Sequence, residues 1–180
     1  RYIGNWKQGF RDGSGEIVSK NGDQYKGEWA NDLKQGQGIY YYANGEIYDG
    51  LWYNDVKMGR GKYNYKNGDQ YEGQWSDGIR QGYGIFKDNL GNIYEGDWLN
   101  DIKMGSGTFK DVNGDTYVGD WVNDFRHGRG KITYSNGDNY EGDWVDDVKE
   151  GQGVEIFIAD GITYSGQFKS GLFHGRGEYK

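Results

Sequence analysis

The fold of this chain is decided by Tyr-Lys-Gly-Glu-Trp-Ala-Asn-Asp-Leu-Lys-Gln-Gly-Gln-Gly, residues 25–38, because the chain repeats this stretch. Its first motif, Tyr-x-Gly-x-Trp, occurs in seven copies spaced by 23 residues. An eighth copy begins at Tyr164 after a step of 24 and has Phe168 in place of Trp. Each copy is followed by Gly-x-Gly. A fixed short period predicts an array of one small unit, in which each copy packs mainly on its neighbours.

The composition on its own would suggest disorder, because 34 of the 180 residues are glycine. However, the chain also has 17 Tyr, 7 Trp and 7 Phe, and these rings keep register with the glycines. We therefore interpret residues 1–180 as one repeat array. Neither end has an atypical polar unit of the kind that caps such arrays, so we expect a segment of a longer chain.

The spacing inside one copy distinguishes a strand from a helix. Tyr25, Gly27 and Trp29 are spaced by two and so share one face of a strand. A helix would lose about 1 kcal/mol at each glycine relative to alanine. Residues 30–35 have the composition of a loop, and a second strand is predicted from Gly36 to Tyr42. Asn-Gly at residues 44–45 is a strong signal for a hairpin turn.

These features predict an all-β fold, an elongated single-layer antiparallel sheet of about eight tandem 23-residue β-hairpins. The residue four positions after each Trp is apolar, and we expect it to fold back over one edge of the aromatic row. The extra residue of the last step lies within residues 153–158, where we expect a bulge or a longer hairpin. The predicted loops also carry basic residues, namely Arg11, Lys34, Lys57, Arg80, Lys103, Arg126 and Lys149.

The charge of the chain is unevenly distributed. Residues 1–90 contain 12 basic and 12 acidic side chains, whereas residues 91–180 contain 9 and 16, which accounts for the whole net charge of −7. An acidic half repels nucleic acid and anionic lipid and favours a basic partner. The chain has no cysteine and no apolar run of the roughly 20 residues that a membrane-spanning helix needs.

Motifs of catalysis and cofactor binding are lacking. No Gly-x-Gly has the third glycine of a dinucleotide site. Asp-Val-Asn-Gly-Asp at residues 111–115 resembles a calcium loop, but Thr116 stands where the loop needs glycine and Val122 where it needs glutamate. His127 and His174 precede Gly-Arg-Gly at equivalent positions and are interpreted as turn residues. We predict a protein that is not an enzyme and binds no cofactor or metal.

The full pattern Tyr-x-Gly-x-Trp-x-Asn-Asp-apolar-Lys/Arg-x-Gly-x-Gly resembles the MORN repeat along essentially the whole chain. The resemblance implies an elongated, twisted sheet with a long groove, and a role as a scaffold or adaptor. Some MORN arrays hold a partner helix along this groove. Others occur in cilia, including radial spoke heads, in protist cytoskeletons, and in phosphatidylinositol phosphate kinases.

The aromatic row is the candidate partner-binding site. Two interpretations are open: the rings serve only as the packing core, or they form the core and also line a groove for a partner. The candidate groove residues are Tyr25, Trp29, Tyr48, Trp52, Tyr71, Trp75, Tyr94, Trp98, Tyr117, Trp121, Tyr140 and Trp144.

The sequence favours a cytoplasmic scaffold in a ciliary (axonemal) or cytoskeletal assembly, with a helical or extended segment of a basic protein as partner. A phosphoinositide or membrane-surface module is the first alternative, although the net charge disfavours it. The second alternative is the regulatory arm of a larger enzyme such as a lipid kinase. A homodimer is a further option for the partner, and nucleic acid is not expected.

Overall fold

The computed structural model describes all residues from 1 to 180 and contains sixteen β-strands and no helix. The predicted all-β class is therefore confirmed. By its contacts the chain divides into two compact units, residues 1–89 and residues 90–180, with eight strands in each.

The strands of the first unit are β1 Tyr2–Lys7, β2 Phe10–Val18, β3 Gln24–Ala30, β4 Leu33–Tyr41, β5 Ile47–Tyr53, β6 Val56–Asn64, β7 Gln70–Ser76 and β8 Ile79–Lys87. Those of the second unit are β9 Ile93–Leu99, β10 Ile102–Lys110, β11 Thr116–Val122, β12 Phe125–Thr133, β13 Asn139–Val145, β14 Val148–Phe157, β15 Ile162–Lys169 and β16 Leu172–Tyr179. Each copy of the repeat supplies two strands.

Within each unit every strand pairs antiparallel with the next one in the chain, so each repeat is a hairpin in a single layer of sheet. In the second repeat Tyr25 lies opposite Tyr40 and Gly27 opposite Gly38. The following pair, β4 with β5, sets Gly38 opposite Gly50. The predicted hairpin repeat is confirmed, and the glycines of successive strands are aligned across the sheet.

The connection after each Trp is shorter than the sequence predicted. Asn31 and Asp32 form a two-residue turn, with φ of 47° and 69°. Asn and Asp tolerate this left-handed conformation better than most residues, and two such residues match the twist of a hairpin. As a result β4 resumes at Leu33, and the basic residue that we assigned to a loop belongs to the strand.

A bulge interrupts the pairing inside the hairpins and was predicted only for residues 153–158. In the second repeat the register shifts after Gly27 and Gly38, so that Glu28 lies opposite Gln35 and Trp29 opposite Lys34. Gly36 adopts a φ of 61° at this point, a conformation that favours glycine. The bulge therefore explains why the first glycine of Gly-x-Gly recurs.

The turn at the other end of the repeat follows the prediction. The amide of Gly45 donates to the carbonyl of Tyr42 at 2.9 Å, which closes the Asn-Gly turn. The step of 24 residues is accommodated by a longer hairpin, because β14 has ten residues and pairs with β15 out to Phe157 opposite Ile162.

The core of each unit is the layer of Tyr and Trp rings on one face of the sheet. A Cβ on Gly38 would lie 2.3 Å from the hydroxyl of Tyr25. The second glycine of Gly-x-Gly therefore leaves room for the tyrosine ring, which lies over the backbone at that position. The Tyr25 hydroxyl donates to the carbonyl of Glu28 at 2.9 Å.

Candidate partner-binding face

The sheet surface that carries Tyr25, Trp29 and their equivalents is here named the aromatic face, and the other surface the opposite face. Side chains alternate between the two faces along each strand. Thus Lys26 and Glu28 belong to the opposite face, together with the ion pairs Arg60–Glu72 and Arg129–Asp143, both at 2.9 Å.

All twelve residues predicted to line the groove are buried, with at most 6 % of any one exposed. Four of the tyrosines pack edge-to-face against two Trp rings each, and Tyr140 packs against Trp144 and Phe168. Tyr25 has ring centroids 5.1 Å from Trp29 and 5.5 Å from Trp52, with interplanar angles of 87° and 83°. Such pairs contribute about 0.5–1.5 kcal/mol beyond burial. These residues form the core, and their contribution to partner binding stays a prediction.

The polar atoms of these rings are bonded to the backbone. The indole N–H of Trp52 donates to the carbonyl of Gly38 in the preceding repeat at 3.0 Å, and the hydroxyl of Tyr48 donates to the carbonyl of Leu51 at 3.0 Å. Burial raises the pKa of Tyr48 well above its ordinary value, because the phenolate would lose its hydration. The tyrosines of the core are therefore neutral at physiological pH.

The basic residue of each repeat lies on the aromatic face rather than in a loop. The Lys34 ammonium lies 5.0 Å from the Trp52 ring centroid and 3.3 Å from Oδ1 of Asp55, one repeat further on. Arg11 stacks over Trp29 at 4.1 Å and binds Asp32 at 2.9 Å. The hydrogen bonds from Arg11 hold the pKa of Asp32 below its ordinary value.

This arrangement corrects the prediction that the basic residues lie in loops. An Asp recurs 21 residues after several of the basic residues, as in Arg126 and Asp147. That spacing was present in the sequence and could have identified the pairs. The apolar residue before each basic one points to the opposite face, because successive side chains alternate along a strand. It therefore does not cover the aromatic row, which corrects the expectation from the sequence. Six of these residues are exposed: Phe10, Leu33, Val56, Phe125, Val148 and Leu172.

Two further rows complete the aromatic face. The second row comprises residues 40, 63, 86, 109 and 132, and the rim row comprises residues 42, 65, 88, 111 and 134. Sequence analysis missed both as candidate site residues, because they lie outside the Tyr-x-Gly-x-Trp motif. Rim-row tyrosines are half-buried, and the Tyr42 ring packs against Tyr40 at a tilt of 48°, with centroids 4.5 Å apart.

Second-row hydroxyls bind acids at the Asn-Gly turns. The hydroxyl of Tyr40 donates to Oδ2 of Asp23 at 2.8 Å, and the hydroxyl of Tyr63 donates to Oε2 of Glu46 at 2.8 Å. Burial, with the hydrogen bond to Asp23, raises the pKa of Tyr40 to about 12. The pKa of Asp23 is lowered, mainly by the amide of Ala43. The aromatic face is thus bordered by carboxylates that are charged at neutral pH.

The seventh repeat departs from this pattern. Glu155 lies opposite Tyr140, where other repeats have a second-row ring or isoleucine, and it is buried. Its carboxylate forms an ion pair with Lys149, the basic residue of the same repeat. The ammonium of Lys149 also lies 4.8 Å from the Tyr140 ring centroid.

The acidic and histidine side chains that the sequence analysis singled out make local contacts. Asp111 accepts hydrogen bonds from the amides of Asn113 and Asp115 at 2.8 and 3.0 Å, which is the geometry of a turn. His127 and His174 lie in strands β12 and β16 rather than in turns, and His127 is 3.3 Å from Asp146 in an exposed pair. No group of three or more histidine or acidic side chains is placed to hold a metal ion. No helix has the length and apolar character needed to cross a membrane.

Comparison with known proteins identifies the repeat. The family model described as MORN repeat matches residues 2–24, 25–47, 48–70, 71–89, 94–116, 117–139, 140–158 and 164–180. The chain therefore belongs to the MORN-repeat family. A search of the curated proteins finds no match.

Among solved structures, the chain is similar to the TCP domain of SAS-4 (dCPAP) of Drosophila melanogaster, in complex with a proline-rich motif of Ana2 (dSTIL). The identity is 16 %, the match covers 99 % of this chain and 88 % of that one, and the TM-score is 0.54. The TCP10 domain of Danio rerio CPAP matches at 11 % identity over 84 % of this chain and 82 % of that one, with a TM-score of 0.33. The first of these similarities shows a related fold.

Proposed function

We propose that this MORN-repeat protein is a non-enzymatic scaffold or adaptor whose aromatic face binds a helical or extended segment of a partner protein. The observation that carries the proposal is the pair of outer rows on this face. Their rings, such as Tyr42 and Tyr134, are half-buried, and every element of each unit lies in the sheet, so no second layer covers them. Partly exposed tyrosines in a row are typical anchors of an interface.

The structure changes which residues would contact the partner. The twelve core residues, Tyr25 to Trp144, form the floor and hold the outer rows in place. Direct contact would come from the rim row, the second row and the carboxylates at the turns. Since residues 91–180 carry the whole net charge of −7, a segment with apolar anchors and basic flanks is the expected ligand.

The similar TCP domain was solved with a proline-rich motif of its partner. That complex supports the proposal for the class of fold, because it pairs such a sheet with a segment of another protein. The proposed setting is a ciliary (axonemal) or cytoskeletal assembly in the cytoplasm, and it rests on membership of the MORN-repeat family.

The alternative of a phosphoinositide-binding module loses its sequence support. It depended on the basic residues, and in the structure Arg11, Lys34 and Arg126 are paired with Asp32, Asp55 and Asp147. A lipid phosphate would have to replace these carboxylates. The regulatory-arm alternative is compatible with the same partner-binding face.

The proposal can be tested by selecting peptides from a displayed random library on the whole chain and measuring their affinities by calorimetry. The variant Tyr42→Ser with Tyr134→Ser removes two rim-row rings. Its control, Tyr41→Ser with Thr133→Ser, changes their neighbours, which are exposed on the opposite face. We expect at least tenfold weaker binding in the rim-row variant alone. Equal affinities for both variants, or no selected peptide, would overturn the proposal.

Co-sedimentation with vesicles of neutral lipid, anionic lipid and phosphoinositide tests the alternative. We expect no binding at physiological salt. Phosphoinositide-selective binding that persists at that salt concentration, and that is lost on Lys34→Gln, would favour the membrane module instead.

A further inference from the structure

The aromatic face of the second unit contains a cleft of about 500 Å³. Its floor is aromatic and aliphatic, and its rim is charged. The lining residues are Lys103, Phe109, Asp111, Asp115, Tyr117, Trp121, Asp124, Arg126, Ile132, Tyr134 and Asp147.

The cleft exists because two side chains are smaller here than in the second and third repeats. In the rim row, Asp111 stands where Tyr42, Tyr65 and Tyr134 stand in other repeats. In the second row, Ile132 stands where Tyr40 and Tyr63 stand. In the second and third repeats tyrosine rings fill this space, with contacts such as Tyr63–Tyr65, whose centroids are 4.5 Å apart.

The same replacements leave one carboxylate oxygen of the cleft without a donor. In other repeats the outer oxygen of the turn acid accepts a hydrogen bond from the Asn side chain of the turn, as Asp138 does from Asn136 at 2.8 Å. In the first unit a second-row hydroxyl also donates to this atom. Asp115 has neither donor, because the Asn113 amide points to Asp111 at 3.4 Å and Ile132 has no hydroxyl. Only its Oδ1 is bonded, to the amide of Ser135 at 2.8 Å.

The basic residues that line the cleft are held by other groups. Arg126 binds Asp147 at 2.8 Å and stacks over Trp144 at 4.4 Å. The Lys103 ammonium lies 5.3 Å from the Trp121 ring centroid. Asp111 and Asp115 form no ion pair within the chain. With four carboxylates against two cations, the lining carries a net charge of −2.

We propose that this cleft is the specificity pocket of the partner-binding face and that it takes an arginine side chain of the partner segment, an inference that rests on the proposed function. The guanidinium would bind Oδ2 of Asp115 beside Asp111. Its aliphatic stem would lie on Phe109 and Ile132. Arginine suits this site better than lysine because its flat head can bind a carboxylate and stack on a ring such as Tyr134 at the same time.

The test uses the whole chain and two capped amino acids, Nα-acetyl-arginine N-methylamide and its neutral isostere Nα-acetyl-citrulline N-methylamide. Each is titrated while backbone amide shifts are followed by NMR. We expect saturable shifts confined to residues around the cleft, above all Ser135 and the 111–115 turn. Citrulline should bind at least fivefold more weakly. Diffuse shifts, or equal shifts with both compounds, would overturn the proposal.

Two variants separate binding from folding. Asp115→Asn keeps an acceptor for the Ser135 amide but removes the charge. Ile132→Tyr supplies the hydroxyl that occupies this carboxylate in the first unit. Both should weaken arginine binding at least fivefold. Glu141→Gln, which removes one charge from the opposite face, should leave it unchanged, since Glu141 does not line the cleft. Full binding by Asp115→Asn would contradict the proposal.

Failure of this inference can be told apart from failure of the proposed function. If selected peptides bind the aromatic face but lack arginine and bind Asp115→Asn equally well, the scaffold stands and the arginine pocket is wrong. If no library peptide binds the aromatic face, the proposed function fails, and the pocket loses the partner segment it was assigned.

Discussion

At the scale of single residues, a core tyrosine fits closely against the second glycine of Gly-x-Gly. A Cβ on Gly107 would lie 2.6 Å from the Tyr94 ring. The hydroxyl of this ring donates to the backbone carbonyl of Asp97 at 3.0 Å, so backbone atoms also bound the ring on that side. The tyrosine therefore has little freedom to move away.

We expect Gly107→Ala to lower the free energy of unfolding by about 1–3 kcal/mol through overpacking. Urea unfolding followed by Trp fluorescence measures the change. Ser106→Ala, one residue earlier and exposed on the opposite face, is the control and should change it by less than about 0.5 kcal/mol. Equal effects of the two substitutions would show that the tyrosine does not need this space.

The buried tyrosines also predict loss of stability at high pH. Burial raises the pKa values of Tyr25, Tyr48, Tyr94, Tyr117 and Tyr140, so the native state retains protons that the unfolded chain releases above about pH 10. Their stabilisation is present below the unfolded pKa and is lost as pH rises above it. Each tyrosine contributes about 1.4 kcal/mol per pH unit, so the loss should be steep.

Circular dichroism and tyrosinate absorbance, recorded together between pH 8 and 12, test this expectation. The core tyrosines should ionise only as the sheet unfolds, in one joint transition. Ionisation of all the tyrosines near pH 10 with the sheet intact would rule the explanation out.

At the scale of the element, the second residue of the turn after each Trp has two roles. It adopts a positive φ, and where it is Asp its carboxylate can also form an ion pair. Asp55 has a φ of 70°, accepts from the amide of Lys34 at 2.8 Å and binds its ammonium at 3.3 Å. The fourth repeat has Gly78 at the equivalent position, with a φ of 82°. Glycine thus satisfies the backbone at this position without the carboxylate.

The two roles can be separated by Asp55→Gly and Asp55→Ala. The glycine variant loses only the hydrogen bond and the ion pair, about 1 kcal/mol. The alanine variant should lose a further 1–2 kcal/mol, roughly, because its Cβ disfavours the left-handed conformation. Thermal unfolding of both proteins measures the difference. If alanine is no worse than glycine, the turn is not held by its conformation.

The same turn explains how far the sequence could predict the elements. Period-two spacing of Tyr25, Gly27 and Trp29 identified the strand, and Asn-Gly identified the turn at the other end. Asn31-Asp32 was interpreted as part of a longer loop, since Asn and Asp favour loops of many lengths. The positive φ of both residues returns the chain to the sheet at Leu33, which turns Lys34 toward the rings. Local composition does not specify that geometry.

Only the core residues beneath the candidate site could be predicted from the sequence. The invariant rings of the twelve-residue row stand out by repetition, and they form the core. The outer rows vary from repeat to repeat, as Asp111 against Tyr42 shows, so periodicity does not reveal them. Their importance depends on which residues the bulge and the turns bring to the same face.

At the scale of the whole molecule, the period itself predicts which changes in length the sheet tolerates. Excision of residues 50–72 removes one full period and leaves Tyr-x-Gly-x-Trp intact at the junction of Asp49 and Gly73. Trp75 would then donate to the carbonyl of Gly38, which in the full chain accepts a hydrogen bond from Trp52. We expect a folded protein with a slightly lower melting temperature.

Excision of residues 50–71 is the matched control, one residue short of the period. It leaves Tyr48 and Trp75 an odd number of residues apart, which places the two rings on opposite faces of the strand. We expect loss of the cooperative unfolding transition, measured by circular dichroism. Equal stability of the two excised proteins would refute the dependence on period.

The bond from each indole to a glycine carbonyl of the preceding repeat has a consequence for how such genes change. Because this bond uses only the backbone of the preceding copy, and the ring contacts beside it involve the Tyr and Trp residues that the copies share, the junction between copies does not depend on the residues that vary. Unequal crossing-over between copies would therefore give proteins of new length that still fold. Selection could then act on the side chains of the outer rows alone, so that each duplicated copy becomes a separate binding site for a different segment of a partner.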